Sequence, residues 1–233
     1  MTAQFGAHEV MEIHEVLTDA INTINQFELY RPHIRDQHLG QMLDRHVQFM
    51  TQEYNNTVQA VSHGGAGQAV PFRVPKTTRP IYGLDNPTTQ SPNTSVNQMD
   101  DRDVASGMLC AHKAGAVFKM AGALECADPN LRRMMQQSAV NCSELAYDVW
   151  QFMNQKGYYQ VPTMKENTTN TVLNTYGQSQ MSAMGGNQYT ATTGVTGQMG
   201  NMTSMAQGQG QVQTQGQGLG AINAPGHPGH LFS

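Results

Sequence analysis

Charge is scarce in this 233-residue chain: only 13% of residues are Asp, Glu, Lys or Arg, about half the share usual in soluble domains. The shortage is local. The last charged residue is Glu166, so all 30 charges lie in residues 1–166 and the final 67 residues carry none. No basic excess exists; the formal net charge is −4. Electrostatic binding of nucleic acid therefore has no footprint, and no such partner is expected. Apolar runs are short as well, none reaching the roughly 18 residues of a membrane span. Residues Met1 to Asp19 include acids where a secretion signal needs a basic start and an apolar stretch. The expectation is a protein made without a signal peptide and used away from membranes. Cysteine is sparse too. Cys110, Cys126 and Cys142 form no CxxC pair, which points to thiols rather than a disulfide framework.

What is present is helical periodicity. Val10, Ile13, Leu17, Ala20, Ile24 and Phe27 recur at steps of three and four, predicting a helix over 5–30 that ends near Pro32. A second helix is expected over 35–61, on the stripe Leu39, Leu43, Val47, Met50, Tyr54, Val58 and Val61. Residues 62–99 break the pattern. His63 and the glycines Gly64, Gly65 and Gly67 are followed by Pro71, Pro75, Pro80, Pro87 and Pro92, which excludes helix. A third helix is predicted from 101 to 126, with Asp100, Asp101 and Asp103 suited to its positive end. Its interior is rich in Ala and Gly, which lets neighbouring helices approach closely. Asp128-Pro129 caps a fourth helix, 129–156, with the stripe Leu131, Met135, Ser138, Cys142, Leu145, Val149 and Phe152, stopped by Gly157.

Two short-turned hairpins joined by a long middle connection require helices two and three to be parallel. One long crossover at that point is ferritin-like connectivity. The expected fold is all-α: a ferritin-like four-helix bundle over 1–161, with crossover loop 62–99, followed by a low-complexity, disordered tail over 162–233. The tail from 167 holds 13 Gly, 10 Gln and 10 Thr. It cannot bury enough apolar surface to fold alone. Its neutral Gln/Gly alternation favours intermolecular pairing, set against the simpler reading of a solvated linker.

The segment 100–160 carries a further signal. Asp101-Arg102-Asp103-Val104-Ala105, Met108-Leu109, His112-Lys113 and Ala123-Leu124-Glu125 come first. Asp128-Pro129-Asn130-Leu131-Arg132 and Met153-Asn154-Gln155-Lys156-Gly157-Tyr158-Tyr159 follow. In order and spacing this resembles the Coat F family of endospore coat proteins. The resemblance implies a structural, non-enzymatic protein of the bacterial spore coat, made in the mother-cell cytoplasm. It implies other spore coat proteins and further copies of itself as partners, and no catalytic residues. The long tail and extended middle loop depart from the family pattern.

A metal site is the alternative to weigh, since many ferritin-like bundles hold two metals through Glu and Glu-x-x-His ligands. The fourth helix has no histidine, and Arg35 and Leu43 stand three residues before His38 and His46. The di-iron constellation is absent, and no cofactor is expected. His46 and His112 fall at the same depth if their helices start level, with His14 within two turns and Glu12 or Glu15 nearby. Three imidazoles would suit zinc, copper or nickel; the simpler reading is three histidines satisfied by carboxylates or carbonyls. A metal-binding or redox protein with such a non-standard His site is the competing function. An adaptor docking a coat enzyme through its crossover is a third. Cys126, Tyr158 and Tyr159 are candidates for cross-linking, and Glu125 with Arg132 for bracing the Asp128-Pro129 turn. Cys142, on the apolar stripe, is expected to be a buried thiol.

Overall fold

A computed structural model describes residues 5–63, 69–75 and 79–178. Over these residues the chain is all-helical, with five α-helices and no strand. They are α1 (Ala7–Tyr30), α2 (Gln37–His63), α3 (Asp101–Glu125), α4 (Pro129–Gln155) and α5 (Glu166–Leu173). Each long helix packs on two others: α1 on α2 and α3, and α4 on α2 and α3.

The helix ends follow from local chemistry. Gly6 precedes α1, and Glu9 reaches back to its N–H at 2.6 Å. Asp36 starts α2 by accepting from the N–H groups of His38 and Leu39. Asp100 accepts from Arg102 and Asp103, while the Asp103 carboxylate accepts from the Asp100 N–H, a reciprocal cap. Asp128 caps α4 by accepting from the N–H groups of Asn130 and Leu131, with Pro129 in the first turn. At the other end of α4, Gly157 adopts φ +72°. Tyr158 then donates to the Met153 carbonyl and Gly157 to that of Asn154, a Schellman closure that needs the left-handed residue.

The buried faces differ in phase from the apolar stripes. On α1 the buried residues are Glu9, Ile13, Val16 and Phe27, and Val10 is exposed. On α2 the face runs Leu39, Leu43, His46, Met50, Glu53, Thr57, Ala60. Val47, Tyr54 and Val58 lie only half-buried beside it. The shift has one cause: polar residues occupy part of the buried stripe, so a search for apolar residues drifts to one side. Two apolar clusters result. One gathers Phe27, Leu39, Leu43, Met108, Leu145 and Phe152; the other gathers Ile13, Val16, Ala123, Leu131, Met134 and Met135.

Small residues on α3 allow the close packing. A Cβ on Gly107 would strike the Tyr30 ring of α1. One on Gly115 would stand 3.3 Å from the Cys142 sulfur of α4.

The expected tail, from 162, contains α5. This departs from the disorder expected there: Glu166 in the first turn favours the helix end, and the eight residues bury no side chain. The Gln/Gly-rich stretch beyond 178, the glycines at 64–67 and the chain terminus lie outside the described residues.

Candidate functional site

Seven residues separate His46 from Glu53 on α2, His112 from Lys119 on α3, and Asn141 from Asp148 on α4. Seven residues are two helical turns, so each pair shares one face. All six side chains are buried. They meet in two layers. His46 Nδ1 lies 3.0 Å from His112 Nε2, and His46 Nε2 lies 3.1 Å from Asp148 Oδ2. Two turns along, Lys119 Nζ donates to Glu53 Oε2 at 3.1 Å and to Cys142 Sγ at 3.3 Å. Asn141 Nδ2 donates to Glu53 Oε1 at 2.7 Å. His46 pairs with His112 and Glu53 with Lys119 in the same order, so α2 and α3 are parallel. On α4 the order is reversed, Asn141 serving the Glu53 layer and Asp148 the His46 layer, so α4 runs the other way.

The first layer fixes its own tautomers. An ionised carboxylate only accepts. His46 therefore donates from Nε2 to Asp148, which leaves Nδ1 as an acceptor. His112 Nε2–H donates to it. Burial pushes the His46 pKa down, outweighing the attraction of Asp148. His112 is pushed well below the ordinary value, first by burial and then by His46 and Lys119. Both rings are neutral at pH 7. Burial opposes the charge on Asp148, but His46 and Arg45 outweigh it and hold the carboxyl down. Arg45 reaches Asp148 Oδ2 at 3.1 Å from the partly exposed side.

In the second layer burial opposes the Lys119 charge, but its contacts with Cys142 and Glu53 outweigh it and raise the pKa. Burial pushes Cys142 up. Cys142 is thus a thiol near neutrality, and the Glu53 carboxylate is the charge that holds the ammonium. Half-buried Asp19 lies nearby, its pKa raised by burial against the pull of Lys119. A cavity of about 30 Å³ touches Asp19, Glu53, His112, Lys119 and Cys142, room for one or two waters.

Of the metal-site candidates, the structure brings His46 and His112 together and leaves His14 exposed on α1. Both His46 nitrogens are engaged by neighbours, so they do not converge with others on one point. Among the described residues no group of three or more His, Cys, Asp or Glu side chains could hold a metal ion. Cys126 is 8% exposed and packs on Met135, its pKa pushed up to about 11 by burial. This corrects its assignment as a cross-linking thiol; the exposed cysteine is Cys110. Cys142 is buried, as expected. Tyr158 is half-buried against Phe152, and Tyr159 is 38% exposed beside Trp150 and Lys113.

The Asp128-Pro129 turn is braced by Glu9, whose Oε1 accepts from the Asp128 N–H at 2.6 Å. Glu125 pairs instead with His8. The apolar pattern does not single out Glu9, Glu53, Lys119, Asn141 or Asp148. For the four in the layers, the seven-residue spacing within that pattern is the available signal.

The crossover lies on α4 through two buried asparagines. Asn141 accepts from the Phe72 N–H and donates to the Val70 carbonyl. Asn154 accepts from the Ile81 N–H at 2.7 Å and donates to the carbonyls of Ile81 and Tyr159. Phe72 is thereby laid edge-on against His46, covering the histidine layer. Asn154→Ala should leave the Ile81 amide and carbonyl unpaired, costing about 1–3 kcal/mol locally. Chymotrypsin cleavage after Tyr82, an exposed residue next to Ile81, should accelerate while helical content stays constant; an unchanged cleavage rate would show that Asn154 does not hold the crossover.

The same residues give the 100–160 motif a physical content. Asp100 and Asp128 are helix caps. Asp101 accepts from the Arg35 and Asp36 N–H groups and so pins the turn between α1 and α2. Asn154 holds the crossover, and Gly157 closes α4. The fold and the polar layers therefore define, over the described residues, a helical protein whose buried acid, imidazole, ammonium and amide groups bond to one another.

Comparison with known proteins agrees with that class. The Coat F domain profile matches residues 100–162. Spore coat protein F-like protein YhcQ of Bacillus subtilis (strain 168) is 30% identical over 197 residues, covering 84% of this chain and 88% of YhcQ. The chain belongs to the Coat F family. The crystal structure of a candidate spore coat protein from Bacillus halodurans C-125 shares its fold. The TM-score is 0.52 at 15% identity, over 70% of this chain and 97% of that one.

Proposed function

We propose that this protein is a structural, non-enzymatic component of the bacterial spore coat. In this reading residues 1–161 form a ferritin-like four-helix bundle, residues 162–233 form an assembly tail, and other coat proteins are the partners. Family membership carries the reading, through the long match to YhcQ. The buried core supports it: His46, His112 and Asp148, and Glu53 with Lys119, are buried and bonded to one another. The polar layers then serve to fix the register of parallel α2 and α3, a use of buried polar groups seen in other helical assemblies.

The test is location. A fluorescent fusion should collect around the forespore and remain with purified spores until the coat is extracted. A fusion that stays diffuse in the mother cell overturns the reading. The tail is tested separately. A chain ending at Val161 should scatter less light than the full chain at equal concentration; identical small particles from both would remove the tail from assembly. The competing reading, a metal-binding or redox protein, has the His46–His112 contact in its favour. Stoichiometric metal in purified protein, lost in His46→Ala, would restore it.

A further inference from the structure

α3 is apolar on two sides. One side enters the core. The other carries Cys110, Ala114, Val117, Ala121 and Leu124 at steps of four and three, all exposed. Val117 is 73% exposed and Leu124 69%. Steps of four and three are the spacing of a helix–helix seam. Exposure at every one of these positions leaves the seam uncovered by the described residues. It also continues sideways. Lys113 lies over the Tyr159 ring, Tyr159 meets Trp150, and Trp150 stacks on Tyr147 at 5.4 Å. The patch thus extends onto α4.

We propose that this face is the self-association surface, pairing α3 antiparallel with α3 of a second copy about a two-fold axis at Val117. Three observations commit it to that occupant. The pattern is self-complementary: reversed about Val117, Ala114 falls opposite Met120, Ala121 opposite Lys113 and Cys110 opposite Leu124. At each of these levels a short side chain meets a longer one. The charge also selects the direction. Lys113 is the charged residue within the seam. A parallel pair would set Lys113 against Lys113. The antiparallel pair separates them by about 12 Å along the axis and lays each lysine stem beside Ala121. The size is sufficient. Ser106 to Leu124 spans about 27 Å, and the patch is two helices wide, roughly 20 Å. That footprint of roughly 500 Å² of plane corresponds to the order of 800 Å² of accessible surface per partner that stable dimers bury. The proposal deepens the assembly reading and rests on it for its place in the coat.

The full chain tests it. Wild-type protein should be a dimer by size-exclusion chromatography with light scattering. Val117→Glu should weaken the dimer at least tenfold and leave the thermal unfolding of the dilute protein unchanged, because Val117 is exposed within the chain. Leu124→Cys should give, on mild oxidation, an intermolecular disulfide between native Cys110 of one copy and the thiol introduced at position 124 of the other, identified by peptide mapping. Native Cys110 should not pair with its own copy, since antiparallel packing holds the two about 21 Å apart along the axis, beyond the roughly 7 Å a disulfide spans. A monomer at all concentrations, a dimer indifferent to Val117→Glu, or dominant Cys110–Cys110 linkage overturns the proposal. A chain that dimerises only after residues 179–233 are removed assigns the face to the chain's own tail and also overturns it. Coat location is read independently: a Val117→Glu monomer still found in the coat leaves the functional reading intact, and a dimer absent from spores leaves the interface intact.

Discussion

Replacing Glu53 with alanine should lower stability by about 3–5 kcal/mol, the cost of leaving a buried charge without its partner. Lys119 and Glu53 are both buried, and the ammonium would retain only the Cys142 sulfur. Asn141 Nδ2 would lose one of its two acceptors. In a domain of this size that is about 10 °C or more in the melting temperature. Glu53→Gln keeps an oxygen for Asn141 and removes the charge, so it should fall between alanine and wild type. The paired variant Glu53→Leu with Lys119→Met should recover most of the loss, because two desolvated charges are exchanged for apolar volume. Urea unfolding of the four proteins measures this. An alanine variant within about 1 kcal/mol of wild type would mean that water reaches the pair. A paired variant as unstable as the single one would mean that the layer is required for packing itself.

Acid should loosen the protein before most carboxylates titrate. His46 and His112 are held neutral by burial, with pKa values lowered in the folded state. The unfolded chain therefore binds more protons below about pH 6.5. Stability from these rings is complete above that value and is lost as pH falls below it, by up to about 3 kcal/mol per pH unit for the two together. Asp148, whose pKa is depressed, adds a loss only below about pH 4. The groups facing the rings are Asp148 from α4, Arg45 from α2 and Lys119 from α3. Urea midpoints at pH 7, 6 and 5 should fall steadily. His112→Leu, already weaker at pH 7 because His46 Nδ1 loses its donor, should show about half the slope. A flat profile between pH 7 and 5 would contradict neutral, buried rings.

The helices are legible because their signals are local. Asp100, Asp128 and Pro129 mark starts and Gly157 marks a stop, each acting on backbone within a few residues. The proline-rich connection between helices two and three requires a parallel pair, and the His46–His112 contact has that geometry. The depth argument that places these two histidines level also uses only helix rise. It fails for His14 because depth along a helix says nothing about which way the side chain faces. The α1 stripe is displaced for a related reason. Glu9 enters the core to hold the Asp128 amide, which turns Val10 outward. No local rule assigns a glutamate to that role.

Composition and periodicity by themselves determined the four long helices, with their ends to within about two residues, and a neutral carboxy-terminal segment, but not α5. Those properties depend on backbone preferences and residue order over short distances. Only the tertiary structure decided that six buried polar residues pair across three helices, that the crossover is held by Asn141 and Asn154, and that Cys110 rather than Cys126 is exposed. The pairings depend on what stands opposite a side chain 60 to 100 residues away, where burial makes a hydrogen bond or an ion pair obligatory and its partner specific.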